Sequence, residues 1–312
     1  MEEFLTKVKV MREMAFESTD LGAEKVLKEF YIFIEQNEDI IKECYKLDNE
    51  LKKKESFLAI KRMLDTVDEI NKYEMPETRT YTLLNERKFI MYKQSKGVIG
   101  VVYDGDVYIT VELIAKAIKT GNALILNVGI NNNIGTNNLL VTAIKKILEK
   151  NDKPKGLIDI IFSENNELEY GELDSLVLVG NKKIQEKYNK YNDDIIKSGY
   201  GYCKIYIDDL NNEQFIKEVI KKSEFKLKIY INKDLQTDID GEKVNGCENA
   251  IECINKDGAR FTSVIFSDNA NCQKIFLKRC KSGHVFINAD PNIAEDSNIS
   301  IEDFYYNKIG MV

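Results

Sequence analysis

Residues 3 to about 73 carry apolar side chains at helical spacing, which predicts a helical start. Asp20 is the predicted N-cap of one helix. The apolar face of that helix consists of Leu21, Val26, Leu27, Phe30, Phe33 and Ile34. A second helix is predicted to begin near Glu38 and a third to cover Ser56–Tyr73. Pro76 then ends the helical region, because proline has no backbone N–H to donate within a helix.

The spacing of apolar residues then changes to that of strands. Apolar and polar side chains alternate along residues 79–105, around a predicted turn at Asn85–Arg87. The continuous apolar run GVIGVVY in this segment predicts a strand that is buried on both faces. An amphipathic helix, ITVELIAKAIKTG, follows and ends at Gly121, a residue suited to a helix C-terminus. The strand ALILNVG, the helix TNNLLVTAIKKILEK and three short apolar runs come next, LIDIIF, SLVLVG and YCKIYID. Strands that alternate with helices predict an α/β fold with a parallel sheet.

A second, smaller α/β lobe is predicted after Asp208. Helices and strands alternate there as NEQFIKEVIKKS, KLKIYIN, CENAIECINKD, TSVIFS, NCQKIFLKRC and HVFINA. The tail, ISIEDFYYNKIGMV, is predicted to return as a strand to the hairpin near residue 85.

Composition and charge fit an ordinary globular protein. Of the 312 residues, 43% are hydrophobic and 31% are charged, and the net charge is −7 with both signs interspersed. Such a surface disfavours nucleic acid as a partner. No apolar run approaches the ~18 residues that span a bilayer. Because the start, MEEFLTKVKVMREM, is charged and unlike a secretory leader, we expect no membrane association and a cytoplasmic location.

Metal and disulfide chemistry is also disfavoured. The six cysteines include no CxxC pair, which argues against a zinc knuckle or a thioredoxin-like motif. The one histidine, His284, excludes a histidine-rich metal site. We therefore expect no bound metal, and free thiols in a reducing compartment.

Four motifs occur in a collinear order along the chain. GVIGVVY (Gly97–Tyr103) and GNALIL (Gly121–Leu126) match a strand GVIG(V/I)(I/V)YE and a strand start GNA(V/I)IL. SGYGYCKIYID (Ser198–Asp208) is similar to GGxGxCHxYVD, and residues 250–289 are similar to AIxHIxxxGxxHxDAIxTxD with its following VNA strand. With these motifs the chain resembles γ-glutamyl phosphate reductase (glutamate-5-semialdehyde dehydrogenase) of the aldehyde dehydrogenase superfamily, in a shortened and degenerate form.

The resemblance implies an aldehyde-dehydrogenase-like α/β fold. It implies a Rossmann-type cofactor domain with a helical start and a hairpin arm over residues 1–222 and 291–312, and a reduced catalytic-type α/β lobe over residues 223–290. It also implies a reaction in which a cysteine thiolate forms a thiohemiacetal or thioester and NADP(H) exchanges hydride. The arm, about residues 80–96, and the C-terminal strand imply a homodimer, with another protein partner as the alternative.

The segment that carries the family's nucleophile is missing. In the family, the nucleophile segment has a sequence like QRPSxCNxxETLLV. The corresponding stretch of this chain is EVIKKSEFKLKIYIN, so the loop and its cysteine are absent between Lys222 and Lys226. Cys203 matches the non-catalytic cysteine of the GxCH motif, and Ser223 has no visible base to activate it. Loss of a covalent nucleophile can cost about a millionfold in turnover. We therefore assign no catalytic residue.

The substrate and cofactor segments depart from the family as well. Where the family has YEARPNVT, this chain has YDGDVYIT, so Asp106 and Tyr108 replace the Arg that grips the anionic substrate and the Asn of the oxyanion site. LNVG replaces LRGG, and VLVGNK replaces the IPRGG loop. The residues that could still bind NADP(H) are Asn127, Gly129 and Gly180. The family's FGLGAE segment is absent after residue 288.

The leading hypothesis is therefore a catalytically inactive relative that acts as a binding or structural scaffold. The alternative is an active NADP-dependent glutamate-5-semialdehyde dehydrogenase of proline biosynthesis that uses a displaced thiol. Nucleotide sensing without chemistry is a third hypothesis.

Other residues have a functional and a structural interpretation, and the structural one is favoured in each case. Cys247 and Cys253, with Cys272 and Cys280, could form a thiol switch, but packing cysteines are commoner. His284 could be a general base, although a strand-edge histidine is favoured.

Polar residues at strand ends also have a functional and a structural interpretation. Asn131–Asn133 could hold a nucleotide phosphate, but turn chemistry is favoured. Asp208–Asp209, Glu164, Glu167 and Glu169 could hold a hard cation, but a solvated face is favoured.

Overall fold

The computed structural model describes most of the chain. The described residues are 2–17, 22–48, 56–82, 88–103, 107–128, 133–162, 170–180, 182–199, 201–223, 225–258, 260–294 and 297–311. The predictions on Asp20, on the turn at residues 85–87 and on Asp106 fall outside them. None of the described helices is long and apolar enough to cross a membrane.

Four helices form the start of the chain, as the apolar spacing predicts. They are α1 (Glu2–Glu17), α2 (Ala23–Gln36), α3 (Glu38–Asp48) and α4 (Ser56–Lys72). The apolar face predicted for the helix after Asp20 is buried in α2, since Val26, Leu27, Phe30 and Ile34 are at most 1% exposed. This face packs against α4 and the helix that follows the first buried strand.

The central sheet follows an antiparallel hairpin, β1 (Arg79–Thr82) and β2 (Lys88–Ser95). The next elements are β3 (Val98–Tyr103), α5 (Val107–Thr120), β4 (Ala123–Val128), α6 (Ile134–Lys150), β5 (Ile158–Ile161), β6 (Ser175–Val179), α7 (Lys182–Tyr188) and β7 (Ile195–Ser198). The sheet order is β5-β4-β3-β6-β7, and β4 runs parallel to β3 and β5. Gly121 ends α5 with φ +71°, the left-handed conformation that glycine adopts without strain.

The later elements form a second sheet. They are β8 (Tyr202–Ile207), α8 (Glu213–Lys222), β9 (Lys226–Asn232), β10 (Glu242–Val244), α9 (Gly246–Lys256), β11 (Thr262–Phe266), α10 (Ala270–Arg279), β12 (His284–Ile287) and β13 (Tyr305–Met311). Five of the strands pair in the order β10-β9-β8-β11-β12, all parallel. Strand β10 was not predicted, because two of its three side chains are exposed.

The tail returns to the hairpin, which confirms that prediction. Strand β13 pairs antiparallel with β2, from Tyr305 opposite Ser95 to Met311 opposite Phe89, and completes a three-stranded sheet in the order β1-β2-β13.

The chain divides into two compact units. One comprises residues 1–178, 188–196 and 299–312, and the other comprises residues 179–187 and 197–298. The second unit therefore begins earlier than the predicted boundary at residue 222. The physical reason is that β8, which the prediction gave to the cofactor-type domain, is the middle strand of the second sheet and pairs with β9 and β11.

Candidate functional site

The connection between α8 and β9 holds three residues, which the sequence gives as Ser223, Glu224 and Phe225. Ser223 ends α8, and its hydroxyl accepts a hydrogen bond from the Phe225 N–H at 3.2 Å. The Phe225 ring is 7% exposed and packs edge-on against Phe261, with ring centroids 5.4 Å apart. This tight turn has a structural role and carries no thiol.

Cys203 is placed where it cannot act as a nucleophile. It lies on β8, opposite Leu227 of β9 and Thr262 of β11, and is 1% exposed. Burial raises the pKa of its thiol, so the reactive thiolate is disfavoured.

Tyr108 lies in the first turn of α5 and is 2% exposed, so it packs in the core of the first unit. Near it, the Thr110 hydroxyl is hydrogen-bonded to the Tyr103 hydroxyl and donates to Asn137 of α6. This buried polar network links the end of β3 to two helices. The sequence analysis missed it, although three polar residues on otherwise apolar segments were the available signal.

Asn127, a predicted cofactor-binding residue, is engaged within the fold. Its side-chain amide is 4% exposed and donates to the Tyr170 hydroxyl at 2.7 Å. Burial raises the pKa of Tyr170 to about 12. The Tyr170 ring meets the ring of Tyr188 edge-on at 5.5 Å and lies 6.0 Å from that of Tyr191. Asn127 therefore holds an aromatic cluster in place.

Gly180, the second predicted cofactor residue, has φ +139°, which favours glycine. Its N–H donates to the Ser198 carbonyl at 2.9 Å, and its carbonyl accepts from the Gln185 side chain at 3.1 Å. Both backbone groups are thus already bonded. Gly129, the third predicted residue, lies outside the described part of the chain.

The N-terminus of α6 is capped by a carboxylate from another helix. Asp48, the last residue of α3, accepts hydrogen bonds from the N–H groups of Gly135 (3.0 Å) and Thr136 (2.8 Å) and from the Thr136 hydroxyl (2.7 Å). A β-carbon at position 135 would lie 3.2 Å from Asp48 Oδ1, so the glycine permits this approach. Helix N-termini attract anions, and here the chain supplies its own.

These contacts decide whether the residues present fit a nicotinamide nucleotide. The Asn127 amide and the Gly180 backbone are engaged within the fold. A phosphate at the start of α6 would meet the Asp48 carboxylate instead of free N–H groups. The described residues at these positions therefore do not fit the cofactor. Asn133 begins α6 as a left-handed residue without a side-chain cap, and Asn131 and Asn132 lie outside the described residues.

Asp208 lies at the carboxyl end of β8 and is hydrogen-bonded to side chains around that end of the second sheet. Its oxygens accept hydrogen bonds from the Tyr206 hydroxyl and the Ser267 hydroxyl, both at 2.7 Å, and from the Asn232 amide at 3.4 Å. Asp209 accepts from the Asp268 N–H. The solvated face predicted for Asp208–Asp209 is therefore wrong for Asp208, because neighbouring side chains occupy its oxygens.

No metal site is evident where the sequence analysis considered one. Within the described ranges, no group of three or more histidine, cysteine or acidic residues is arranged to hold a metal ion. Glu164, Glu167 and Glu169 lie outside those ranges. His284 lies on the edge strand β12, 5.1 Å from the Phe261 ring and stacked 6.1 Å from the Phe286 ring, as expected of a strand-edge histidine.

Lys204 is a buried amine that the sequence analysis missed. It lies on β8 and is 1% exposed, and within the described structure its Nζ has no hydrogen-bond partner. Burial lowers its pKa, while Asp257 acts in the opposite direction. The apolar run YCKIYID predicts a buried strand, so the lysine within it was the available signal.

Curated relatives of the chain are named γ-glutamyl phosphate reductase. The Oceanobacillus iheyensis protein is 30% identical over 133 residues, which is 40% of this chain and 31% of that protein. The Alkaliphilus metalliredigens protein is 22% identical over 295 residues, 75% of this chain and 70% of that protein. The chain thus matches from about a third to 70% of the length of these relatives. No family model matches the chain.

Solved structures share the fold. The γ-glutamyl phosphate reductase of Thermotoga maritima aligns over 99% of this chain and 97% of its own, with a TM-score of 0.68 and 16% identity. The glyceraldehyde-3-phosphate dehydrogenase GapN of Methanocaldococcus jannaschii, complexed with NADP, aligns over 100% and 93%, with a TM-score of 0.76 and 12% identity. The resemblance that the motifs predict is confirmed: the chain is similar to proteins named γ-glutamyl phosphate reductase, and it has an aldehyde-dehydrogenase-like α/β fold.

Proposed function

We propose that the chain is a non-catalytic scaffold related to γ-glutamyl phosphate reductase, which binds a partner and does not transfer hydride. The observation that carries the proposal is the three-residue connection between α8 and β9, where the resemblance places the nucleophile loop. With that loop absent, the chain has no thiol at the position where the family's acyl-enzyme chemistry takes place.

The surroundings of the other candidate groups support the proposal. Cys203 is enclosed in the second sheet with a raised pKa, and Tyr108 is buried in the first unit. NADP(H) binding is disfavoured because Asn127 and Gly180 already make hydrogen bonds within the fold and because the Asp48 carboxylate caps α6. Structural neighbours such as GapN, in contrast, are complexed with NADP.

Enzyme assays test the proposal directly. The purified full chain is assayed for γ-glutamyl phosphate reduction and for glutamate-5-semialdehyde oxidation, with NADP(H) and NAD(H), beside the relative named γ-glutamyl phosphate reductase from Bacillus subtilis as positive control. We expect no turnover and no shift of Tm with NADPH. Turnover that one cysteine-to-serine variant abolishes would establish the displaced-thiol enzyme instead. A Tm shift without turnover would establish nucleotide sensing.

We further propose a homodimer through the arm, defined as β1, β2 and β13. Edge strands with exposed apolar side chains favour association with a second sheet. The exposed apolar side chains of the arm are Tyr81, Tyr306, Ile309 and Met311, which are 44–60% exposed. Such a scaffold would act in the cytoplasm, where the six free thiols of the structure persist.

Light scattering after size-exclusion chromatography tests the dimer. Ile309→Lys should convert the dimer to monomer, because a charge would be buried at the contact. Ile293→Lys is the matched control, since Ile293 is 54% exposed and lies in the second unit. A wild-type monomer at micromolar concentration would exclude this mode of association.

A further inference from the structure

Two cysteines that are far apart in sequence meet at the first turns of α9 and α10. Cys247 Sγ donates a hydrogen bond to the carbonyl oxygen of Cys272 at 3.6 Å, across 25 positions of sequence. Both side chains also pack in the same apolar cluster of the second unit, Cys272 within it and Cys247 against it. The two helices pack side by side, and the Asn255 amide at the other end of α9 donates to the Arg279 carbonyl of α10 at 3.0 Å.

The two thiols differ in access and in environment. Cys247 is half-buried, whereas Cys272 is 6% exposed, so a dissolved oxidant reaches Cys247 first. Burial raises the pKa of both thiols, so their exposure and not their acidity distinguishes them. The negative charge of Asp208 further disfavours the ionisation of both thiols. The more exposed thiol, Cys247, is therefore the one that attacks, and the buried Cys272 is the one that resolves.

We propose that Cys247 and Cys272 form a modification site that a peroxide oxidises to a disulfide. The Cys247 thiol gives up its proton, and the thiolate attacks one oxygen of hydrogen peroxide, which breaks the O–O bond and gives a sulfenic acid and hydroxide. The hydroxide takes up the proton and leaves as water. Cys272 then attacks the sulfenic sulfur, forms the S–S bond and releases a second water. Two electrons pass from the two sulfurs to the peroxide, and a dithiol reductant returns both thiols.

The disulfide would join α9 to α10 around β11, which lies between them in sequence. A crosslink that closes a loop of this length restricts the unfolded chain and so stabilises the fold. The site does not depend on whether the chain binds a nicotinamide nucleotide.

Peptide mapping of the full chain tests the proposal. The reduced protein is treated with hydrogen peroxide, free thiols are blocked with N-ethylmaleimide, and the digest is analysed by mass spectrometry without reduction. We expect a linked peptide that contains Cys247 and Cys272, lighter by the two thiol hydrogens and restored by dithiothreitol. The Tm should rise by roughly 5 °C on oxidation.

Serine variants separate this pair from the other thiols. Cys247→Ser and Cys272→Ser should each abolish the linked peptide and the rise in Tm. Cys253→Ser and Cys280→Ser are the matched controls, because both side chains lie partly buried against the same apolar core, and they should keep both effects. A linked peptide between other cysteines, or conversion of Cys247 to sulfinic acid without a link, would overturn the proposal.

Discussion

Replacing Lys204 with methionine should make the protein more stable. The lysine is 1% exposed on the middle strand of the second sheet, and its Nζ has no hydrogen-bond partner within the described structure. Methionine is unbranched and of similar length, so it keeps the packing of the stem and removes the buried amine.

The size of the expected stabilisation follows from the hydrogen bonds that the buried Lys204 amine does not make. A buried polar group without a partner costs about 1–3 kcal/mol, so Lys204→Met should raise the free energy of unfolding by about that amount. A gain of this size raises the Tm by roughly 2–10 °C.

The increase in the free energy of unfolding of the Lys204→Met variant should depend on pH. Because burial lowers the pKa of Lys204 in the folded state below the usual 10.5, the unfolded chain binds more protons between those two values. The stability of the wild type therefore rises with pH through that window, and the advantage of the methionine variant shrinks as the pH approaches 10.5. Charged or titratable neighbours that share this environment are Asp257, Lys228, Cys203 and Cys280.

Urea denaturation at several pH values is the assay, with Lys116→Met as the control. Lys116 is also buried, but its Nζ is bonded to the Glu112 carboxylate and the Ile299 carbonyl. Its removal takes the ion-pair partner away from the buried Glu112 carboxylate and should cost about 3–5 kcal/mol. If Lys204→Met lost stability as Lys116→Met does, the reasoning about the unpartnered amine would be wrong.

Three further outcomes are expected. Asp48→Ala should lower the free energy of unfolding by about 1 kcal/mol in urea, because α6 loses its cap, whereas Asp65→Ala at an exposed helix position should have little effect. Asn127→Ala should cost about 1–3 kcal/mol by stranding the Tyr170 hydroxyl, and a smaller loss in the Tyr170→Phe background would show that the two groups act together. The pKa of Tyr170 is raised to about 12, so its contribution to stability is present below pH 10 and is lost as the pH rises towards 12. The unfolding free energy of the wild type should therefore decline at alkaline pH, and Tyr170→Phe should make that decline smaller.

Local periodicity predicted the elements well, whereas it could not predict partners across the fold. The runs GVIGVVY and ALILNVG are buried strands, as expected of apolar segments between turn residues. The cap on α6 joins residues 88 positions apart, and nothing in the sequence around Thr136 points to Asp48. The resemblance assigns Asn127 and Gly180 to cofactor binding from their places in the family's LRGG and IPRGG motifs, but the hydrogen bonds that they make inside the fold depend on three-dimensional packing that the sequence does not display.

The pairing of β13 with β2 bears on how the chain folds during synthesis. Lys93 and Asn307 are bonded across 214 positions of sequence, so this strand pair can form only after Asn307 has left the ribosome. Until then one edge of β2 is open. Closing a loop of this length slows folding, and a chain cut before Tyr305 would keep β2 open to pairing with other molecules.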